Sequence, residues 1–340
     1  MNTPFSTNRN LRLSLPSKGI LCDQTTEFLH HCGLTIHKPN PRQYQATLRE
    51  IPGLEVFYQR PIDIVNSVRD GSMDFGISGL DVIEEFKGDQ SQVLTLHDAL
   101  GYGGCRLQLA VPEEWESVQT LADLQDYARS MERPLRIVTK FGHLTTRFLN
   151  QHDIQAELVT TEGTLETAPA IGYADMISDL VSSGQTLKDN RLRALPDGII
   201  LRSQSSLIAN FQTLKTNPQA QSVARFLLEF IEAYLRAQGN VSIFVNMRGD
   251  NAQRIARRLF ENEVINGLQG PTISPVFVKD AENTGWYAVN VVVKREELFE
   301  AITALRAVGG SGVVVLPVTY IFEEEPPRYT AMLKAIQTGG

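Results

Sequence analysis

A chain of 340 residues, 42% apolar and 21% charged, holds enough material for two or three domains with cores of their own. Its net charge of −7 excludes a general nucleic-acid or anionic-membrane surface, so any phosphate site must be local. No run of about 18 apolar residues spans a membrane, and the polar first ten residues lack a signal-peptide core. The three cysteines, Cys22, Cys32 and Cys105, have no metal spacing and suit a reducing compartment, so a cytoplasmic location is expected.

In chain order, Leu11 to Leu15 reads as a buried strand, followed by the turn Pro16-Ser17-Lys18-Gly19 and a helix from about Cys22 to Cys32. A strand, a Lys-Gly turn and a helix put a cation at the carboxyl edge of a sheet, where α/β proteins bind ligands. An exposed turn lysine without a ligand reads the same way, and the stretch is not a Walker loop. Val56-Phe57-Tyr58 is a short strand, Arg60-Pro61 opens a helix from Ile62 to Arg69, and Met73 to Ser78 is a strand. Gly79 starts the next helix, which runs through Asp81 to about Phe86. Gly101-Tyr102-Gly103-Gly104 reads as a hinge before a strand, Arg106 to Val111. There follow a helix from Thr120 to Met131, a strand from Arg136 to Val138, the turn Thr139-Lys140-Phe141-Gly142, a helix from Thr145 to Gln151 and a strand from Ala156 to Thr160.

The stretch Thr160 to Leu187 is the centre of the chain. Glu162-Gly163-Thr164 is a turn leading into a helix of about two turns ending near Gly172, capped by Thr164 or Thr167, with Pro169 in its first turn. Gly163 lets a ligand approach the backbone, and the free N–H groups beyond it form an anion site. Carboxylates beside such a cradle fit a ligand that also offers sugar hydroxyls or Mg2+, as a phosphorylated ribose does. A capped surface helix in any α/β protein is the competing reading. The next strand, Ala174 to Leu180, carries Asp179. Gly172-Tyr173-Ala174-Asp175 repeats the pattern of Gly71-Ser72-Met73-Asp74, and two halves of similar make imply two α/β lobes across a cleft. Ile199-Ile200-Leu201 and Ser206 to Ala209 are expected as strands returning to the first lobe.

A long amphipathic helix spans Pro218 to Ala237. Beyond it come strands at Val241 to Met247, Thr272 to Val278, Trp286 to Val293 and Gly312 to Pro317, with helices at Asn251 to Glu261 and Arg295 to Val308. This βαββαβ order is the ferredoxin-like arrangement, and it carries no nucleophile or acid/base pair. Its expected role is regulation or assembly. The expected organisation is a first lobe of residues 1–104 completed by 192–217, a second lobe of 105–191, a connecting helix of 218–239, a regulatory domain of 240–324 and a tail of 325–340.

The blocks LRLSLPSKG, QRPIDIVNSVRDGSMDFGISGLDVIEE, GGCRLQLAVP, EGTLETAPAIGYADMISDLVSSGQTL, GPTISPV and LRAVGGSGVVVLPVTYIF together resemble the ATP phosphoribosyltransferases that start histidine biosynthesis. NPRQY and NMRGDNAQ resemble the plant and cyanobacterial branch. The resemblance runs from Leu11 to about Arg328. It implies two periplasmic-binding-protein-like lobes, an ACT-like histidine-sensing domain, ATP and phosphoribosyl pyrophosphate as substrates, and Mg2+ held mainly by substrate phosphates. It also implies dimers and hexamers of the chain and feedback inhibition by histidine. Carried over by motif, Glu162, Gly163, Thr164, Leu165, Glu166, Thr167 and Ala168 would hold the phosphoribosyl group, and Ser17, Lys18, Gly19, Arg60, Asp81 and Lys140 the ATP. Lys18, Glu166 and Asp179 would act in catalysis; Asn246, Thr272, Gly310 and Ser311 would meet histidine. One departure is Ile20, where the family has arginine, with Arg60 or Arg147 as replacement cations. A two-lobed solute-binding protein, a phosphoribosyltransferase with another acceptor and a catalytically weakened sensor are the alternatives.

Overall fold

The computed structural model describes residues 10–40, 42–88, 92–161, 163–261, 265, 270–277 and 285–339. The chain divides into two compact units, Met1–Leu228 with Pro327–Gly340, and Glu229–Pro326.

The first unit is built on two sheets. Seven strands form one, in the order Ile36–His37, Gln45–Leu48, Leu54–Gln59, Leu11–Pro16, Phe75–Gly79, Ser205–Asn210, Val93–His97. Leu11–Pro16 lies parallel to both of its neighbours, and four successive residues, Leu13 to Pro16, are buried. Consecutive burial follows from layers on both faces of a parallel strand, which is why the stretch reads as an unbroken apolar run. The helices Gly19–His31, Pro61–Arg69 and Leu80–Phe86 each follow one of these parallel strands. The second sheet has the order Leu192–Ser203, Cys105–Pro112, Met176–Val181, Leu135–Thr139, Ala156–Thr160, and its last three strands are parallel. Its helix Leu121–Ser130 starts at a capping box, in which Thr120 and Asp123 satisfy each other's backbone N–H.

The repeat visible in the sequence has the same physical job in both sheets. Gly71 and Gly172 end their helices in the left-handed region, at φ 77° and 88°. Three residues on, Asp74 donates its N–H to the Arg12 carbonyl (3.0 Å) and accepts the Arg12 N–H at Oδ2 (2.8 Å). Asp175 does the same with Arg136, at 2.8 Å in both directions. Each aspartate therefore locks its own strand to the amino end of the parallel neighbour, and this fixes register by a local rule.

Two expectations need correction. Ile199–Leu201 do not return to the first lobe: Leu192–Ser203 pairs antiparallel with Cys105–Pro112 and stays in the second sheet. Only Ser205–Asn210 crosses back. The central helix is a single turn, Ala168–Ile171, and Thr167 at its start makes no side-chain cap. Its hydroxyl donates instead to the Thr164 carbonyl (3.4 Å), because the preceding loop is itself coiled into turns. The tail forms a twelve-residue helix, Pro327–Thr338, that belongs to the first unit. It buries Met332 and Ile336, packs on the helix Phe211–Thr216 and the strand Val93–His97, and pairs Arg328 with Asp98 at 2.9 Å.

The helix Pro218–Ala237 carries the chain from the first unit into the second. There a four-stranded antiparallel sheet has the order Thr272–Pro275, Trp286–Lys294, Asn240–Arg248, Gly310–Pro317. With the helices Ala252–Phe260 and Leu298–Ala307 this is the ferredoxin-like topology. Val241, Ile243, Val245 and Met247 alternate inward and meet Ile255, Leu259, Ala301 and Leu305 from those helices. Phe244, Asn246 and Arg248 face the opposite way and are exposed.

Candidate active site

Parallel strands deliver their loops to one edge, and both sheets of the first unit use this. In the first sheet, Ser17, Lys18 and Gly19 follow Leu11–Pro16, Arg60 follows Leu54–Gln59, and Asp81 follows Phe75–Gly79 by one residue. These are three adjacent strands, with Pro16 directly beside Gln59. Ser17 donates its N–H to the Gln59 carbonyl (2.9 Å). Beneath the turn, the buried Ser14 hydroxyl donates to Gln59 Oε1 (2.6 Å), whose amide nitrogen donates to Ser67 (3.1 Å). Lys18 and Arg60 precede the first turns of their helices, and both are exposed. Ile20, in the first turn after Lys18, is 76% exposed, a costly place for an isoleucine with no ligand over it.

In the second sheet, Lys140 follows Leu135–Thr139, the 163–167 loop comes after Ala156–Thr160, and Asp179 lies in the carboxyl half of Met176–Val181. Thr139 stands beside both Thr160 and Ser178, so the three loops emerge at one level. The Thr145 and Ser178 hydroxyls bond each other at 2.9 Å, and Thr139 accepts the Phe141 N–H at 3.0 Å. Asp179 accepts the Leu180 N–H at 2.8 Å. Its carboxyl pKa is raised, first by burial and further by the neighbouring Glu166, while Lys140 pulls it down. One cation and two carboxylates therefore share a site at this edge. Glu162 lies outside the described residues. Of the others, Leu165 and Ala168 are buried in the core beneath the loop, whereas Gly163, Thr164 and Thr167 are exposed and Glu166 half-buried. The anchoring of the loop by two apolar residues leaves its polar ones on the outside. Among the described residues no group of three or more His, Cys, Asp or Glu side chains is arranged to hold a metal.

Asp81, at the edge of the first sheet, is engaged within the protein. It is 4% exposed, its N–H donates to Ser203 Oγ (3.0 Å), and the Ser203 hydroxyl donates to its carboxylate. Burial raises its pKa, and the Ser203 bond pulls it back. Ser203 ends a strand of the second sheet, so Asp81 ties the two sheets together where the chain crosses. The crossing itself is double: residues 101–104 run beside 203–205, joined by Ser205 N–H to the Tyr102 carbonyl (2.9 Å) and Gly101 N–H to Gln204 (2.8 Å). The glycine-dense hinge expected there is thus one half of a two-stranded connection.

In the second unit, Asn246 pairs with Ser311 and Met247 with Gly310, and the Ser311 hydroxyl donates to the Asn246 carbonyl (3.3 Å). A side chain at Gly310 would meet the Leu305 carbonyl at 2.6 Å, so this approach requires glycine. Thr272 is separated from this group by the strand Trp286–Lys294, although it lies on the same open face through its pairing with Asn290. That face also exposes Phe244, Val314 and Leu316.

Glu85 had no role in the sequence reading. Its two carboxylate oxygens accept the backbone N–H groups of His143 (2.7 Å) and Leu144 (2.9 Å), across the sheets. Nothing local marks it, since its partners lie 58 and 59 residues away.

Two family models match the chain: ATP phosphoribosyltransferase over residues 60–232, and HisG, C-terminal domain, over residues 237–320. The chloroplastic ATP phosphoribosyltransferase 2 of Arabidopsis thaliana is 42% identical over 95% of this chain and 80% of its own length. An ATP phosphoribosyltransferase of Nitrobacter winogradskyi is 31% identical over 97% of this chain and 99% of its own. Among solved structures, the Thermotoga maritima ATP phosphoribosyl transferase (HisG:HisZ) complex aligns with 65% of this chain and 98% of its own, at a TM-score of 0.51 and 24% identity. That last likeness concerns the fold.

Proposed function

The chain belongs to the ATP phosphoribosyltransferases, enzymes that transfer a pentosyl group in histidine biosynthesis, and we propose how its own residues divide the work. The carrying observation is that Thr139, just before Lys140, stands between Ser178, just before Asp179, and Thr160, where the strand leading to the 163–168 loop ends, so these groups come to one carboxyl edge of the second sheet. We assign this edge to phosphoribosyl pyrophosphate. Gly163, Thr164 and Thr167 present exposed polar groups to the 5-phosphate, and Glu166 accepts from the ribose hydroxyls. The edge of the first sheet, with Ser17, Lys18, Gly19 and Arg60, takes ATP.

Bond breaking at C1 of the ribose builds positive charge on the sugar and negative charge on the departing pyrophosphate. No protein nucleophile is required. The two edges hold adenine N1 in line with C1 and exclude water, and Lys18 and Lys140 neutralise the leaving group. Mg2+ fits this donor set: a half-buried carboxylate whose ionisation Glu166 opposes gains from a cation, and Mg2+ is commonly held by one or two carboxylates together with substrate phosphates. Asp179 and Glu166 would hold it, and bound there it supplies charge neutralisation for the pyrophosphate. Asp81, bonded to Ser203, holds the crossing at the border of the first sheet's edge.

We assign the open face of the second unit to assembly and to histidine. Asn246, Gly310 and Ser311 form one contiguous group there, and Thr272 joins only from across an intervening strand. The exposed Phe244, Val314 and Leu316 give a second copy of the chain an apolar surface to cover. Inhibition then follows if histidine favours the subunit arrangement in which the catalytic edges stay apart. No helix of the described residues is long and apolar enough to cross a membrane. Three free cysteines fit the reducing cytoplasm as the place of action. The decisive assay measures pyrophosphate release from ATP plus phosphoribosyl pyrophosphate, with and without histidine. Release that histidine suppresses, with Asn246→Ala blunting only the suppression, is the expected result. A chain that binds histidine but releases no pyrophosphate is the weakened sensor instead.

A further inference from the structure

We propose that Glu85 is a positioning residue for the transfer reaction: a latch from the first sheet's side that holds the Lys140 turn in register with the opposite substrate edge. The proposal rests on the assignment of Lys140 to the site. The helix Gly142–Gln151 begins two residues after Lys140, and its own chain leaves its start uncapped. The residue at its N-cap, Phe141, offers no side-chain acceptor, and its first turn contains no acid. Free N–H groups at a helix start carry partial positive charge and require acceptors. Here they are satisfied from the other sheet's helix, Leu80–Phe86, by both oxygens of Glu85, at 2.7 Å to His143 and 2.9 Å to Leu144.

Glu85 is itself held. Asp81, one helical turn earlier, is bonded to Ser203 at the crossing, so two of the three acids of this short helix, Asp81 and Glu85, point towards the second sheet together, while Glu84 pairs with Lys87. Between them Val82 packs against Leu107, Phe141 and Leu144, an apolar cluster drawn from both sides. Downstream, Thr145 of the latched helix bonds Ser178, the residue before Asp179. One helix start thus connects Glu85 with both Lys140 and Asp179. Loss of the latch leaves each substrate edge intact and frees one edge to shift against the other. The cost falls on alignment of N1 with C1 and not on binding of either substrate.

Glu85→Gln keeps the shape but loses the charge and one acceptor. We expect kcat per folded molecule to fall by about ten- to a hundredfold, the scale of a hydrogen bond to a charged group. The KM values for ATP and phosphoribosyl pyrophosphate should stay within about twofold of the wild type. Circular dichroism and titration of competent sites by single-turnover pyrophosphate release correct for misfolded enzyme. Glu85→Asp, too short to reach both N–H groups, should be impaired in the same sense. Lys140→Met is assayed in parallel. A deficit in Lys140→Met with normal turnover in Glu85→Gln overturns the latch alone, whereas normal turnover in both overturns the assignment of Lys140 as well. A Glu85→Gln defect confined to KM, or one that vanishes once the folded fraction is counted, also overturns the proposal.

Discussion

Replacing Asp175 by Asn tests the register lock of the second sheet without touching the site. Asp175 takes a bidentate pair from Arg133 (2.6 and 2.7 Å), a further bond from the Arg136 guanidinium (3.0 Å) and the Arg136 backbone N–H (2.8 Å). Its side chain is only 10% exposed. The Arg133 bonds come first among the causes that hold its carboxyl well below the usual range, with Arg136 adding to them. Asn keeps one oxygen and loses the charge, so the backbone bond survives while the arginines lose their bidentate partner. A bond to a charged group contributes about 1.5–3 kcal/mol, and the half-exposed Arg133 keeps the total near the lower part of that range, ~2 kcal/mol. For a unit of this size that is a fall of about 4–8 °C in Tm. The sign with pH follows from a depressed folded pKa: the stabilisation is present above the ordinary carboxylate pKa and fades as pH falls below it. Wild type and Asp175→Asn should therefore differ most between about pH 5 and 8 and converge below about pH 4. Thermal melts across pH, with kcat at 25 °C as the control, give the answer. A variant within about 1 °C of wild type at pH 7, or a gap that widens in acid, refutes the reasoning.

Glu166→Gln should lose about ten- to a hundredfold in kcat/KM for phosphoribosyl pyrophosphate, the effect of removing a charged acceptor from the ribose hydroxyls; unchanged kinetics would remove Glu166 from the site. Asp179 has a raised pKa, so its folded form keeps a proton to higher pH than the unfolded chain, and the stability this confers declines as pH rises through that interval. If ionised Asp179 is needed for turnover, Lys140→Met moves the acid limb of the kcat/KM profile to higher pH and Glu166→Gln moves it to lower pH, since the two groups act on Asp179 in opposite directions. Ile20→Arg should tighten KM for one substrate by about tenfold, the scale of an aligned charge-assisted bond; no change in either KM means that another cation fills the place.

The sequence was most informative where a local rule acts. Strands and helices with clear periodicity stand close to their expected bounds, from Leu11–Pro16 to Pro218–Ala237. The Gly71–Asp74 and Gly172–Asp175 repeat foretold a shared geometry because its bonds are made a few residues from a helix end. Short polar strands such as Gln45–Leu48 were missed, having no apolar alternation beyond Ala46 and Leu48. The sheet membership of Leu192–Ser203 was also illegible, because an apolar run states that it is buried and not beside what. The site divides in the same way. Lys18 and Lys140 each come directly after a parallel strand, Glu166 lies in the loop after another, and Asp179 lies in the carboxyl half of its own, so a local pattern sufficed to put them at sheet edges. The motifs gave no sign of the bond between Asp81 and Ser203, 122 residues distant, and were silent on Glu85. Pairings between sheets leave no mark on local pattern.

The return of the chain into its first unit has a consequence for how the protein is made. The helix Pro327–Thr338 is translated after residues 229–326, yet it supplies buried side chains to the unit whose other residues precede them. Domains generally fold as the ribosome releases them, amino end first. Here the first unit must wait, with the surface around Val93–His97 and Phe211–Thr216 uncovered, until the entire second unit has been synthesised. A stop codon just before residue 327 would spare the second unit and injure the first. Excising residues 229–326 and joining the ends would do the reverse.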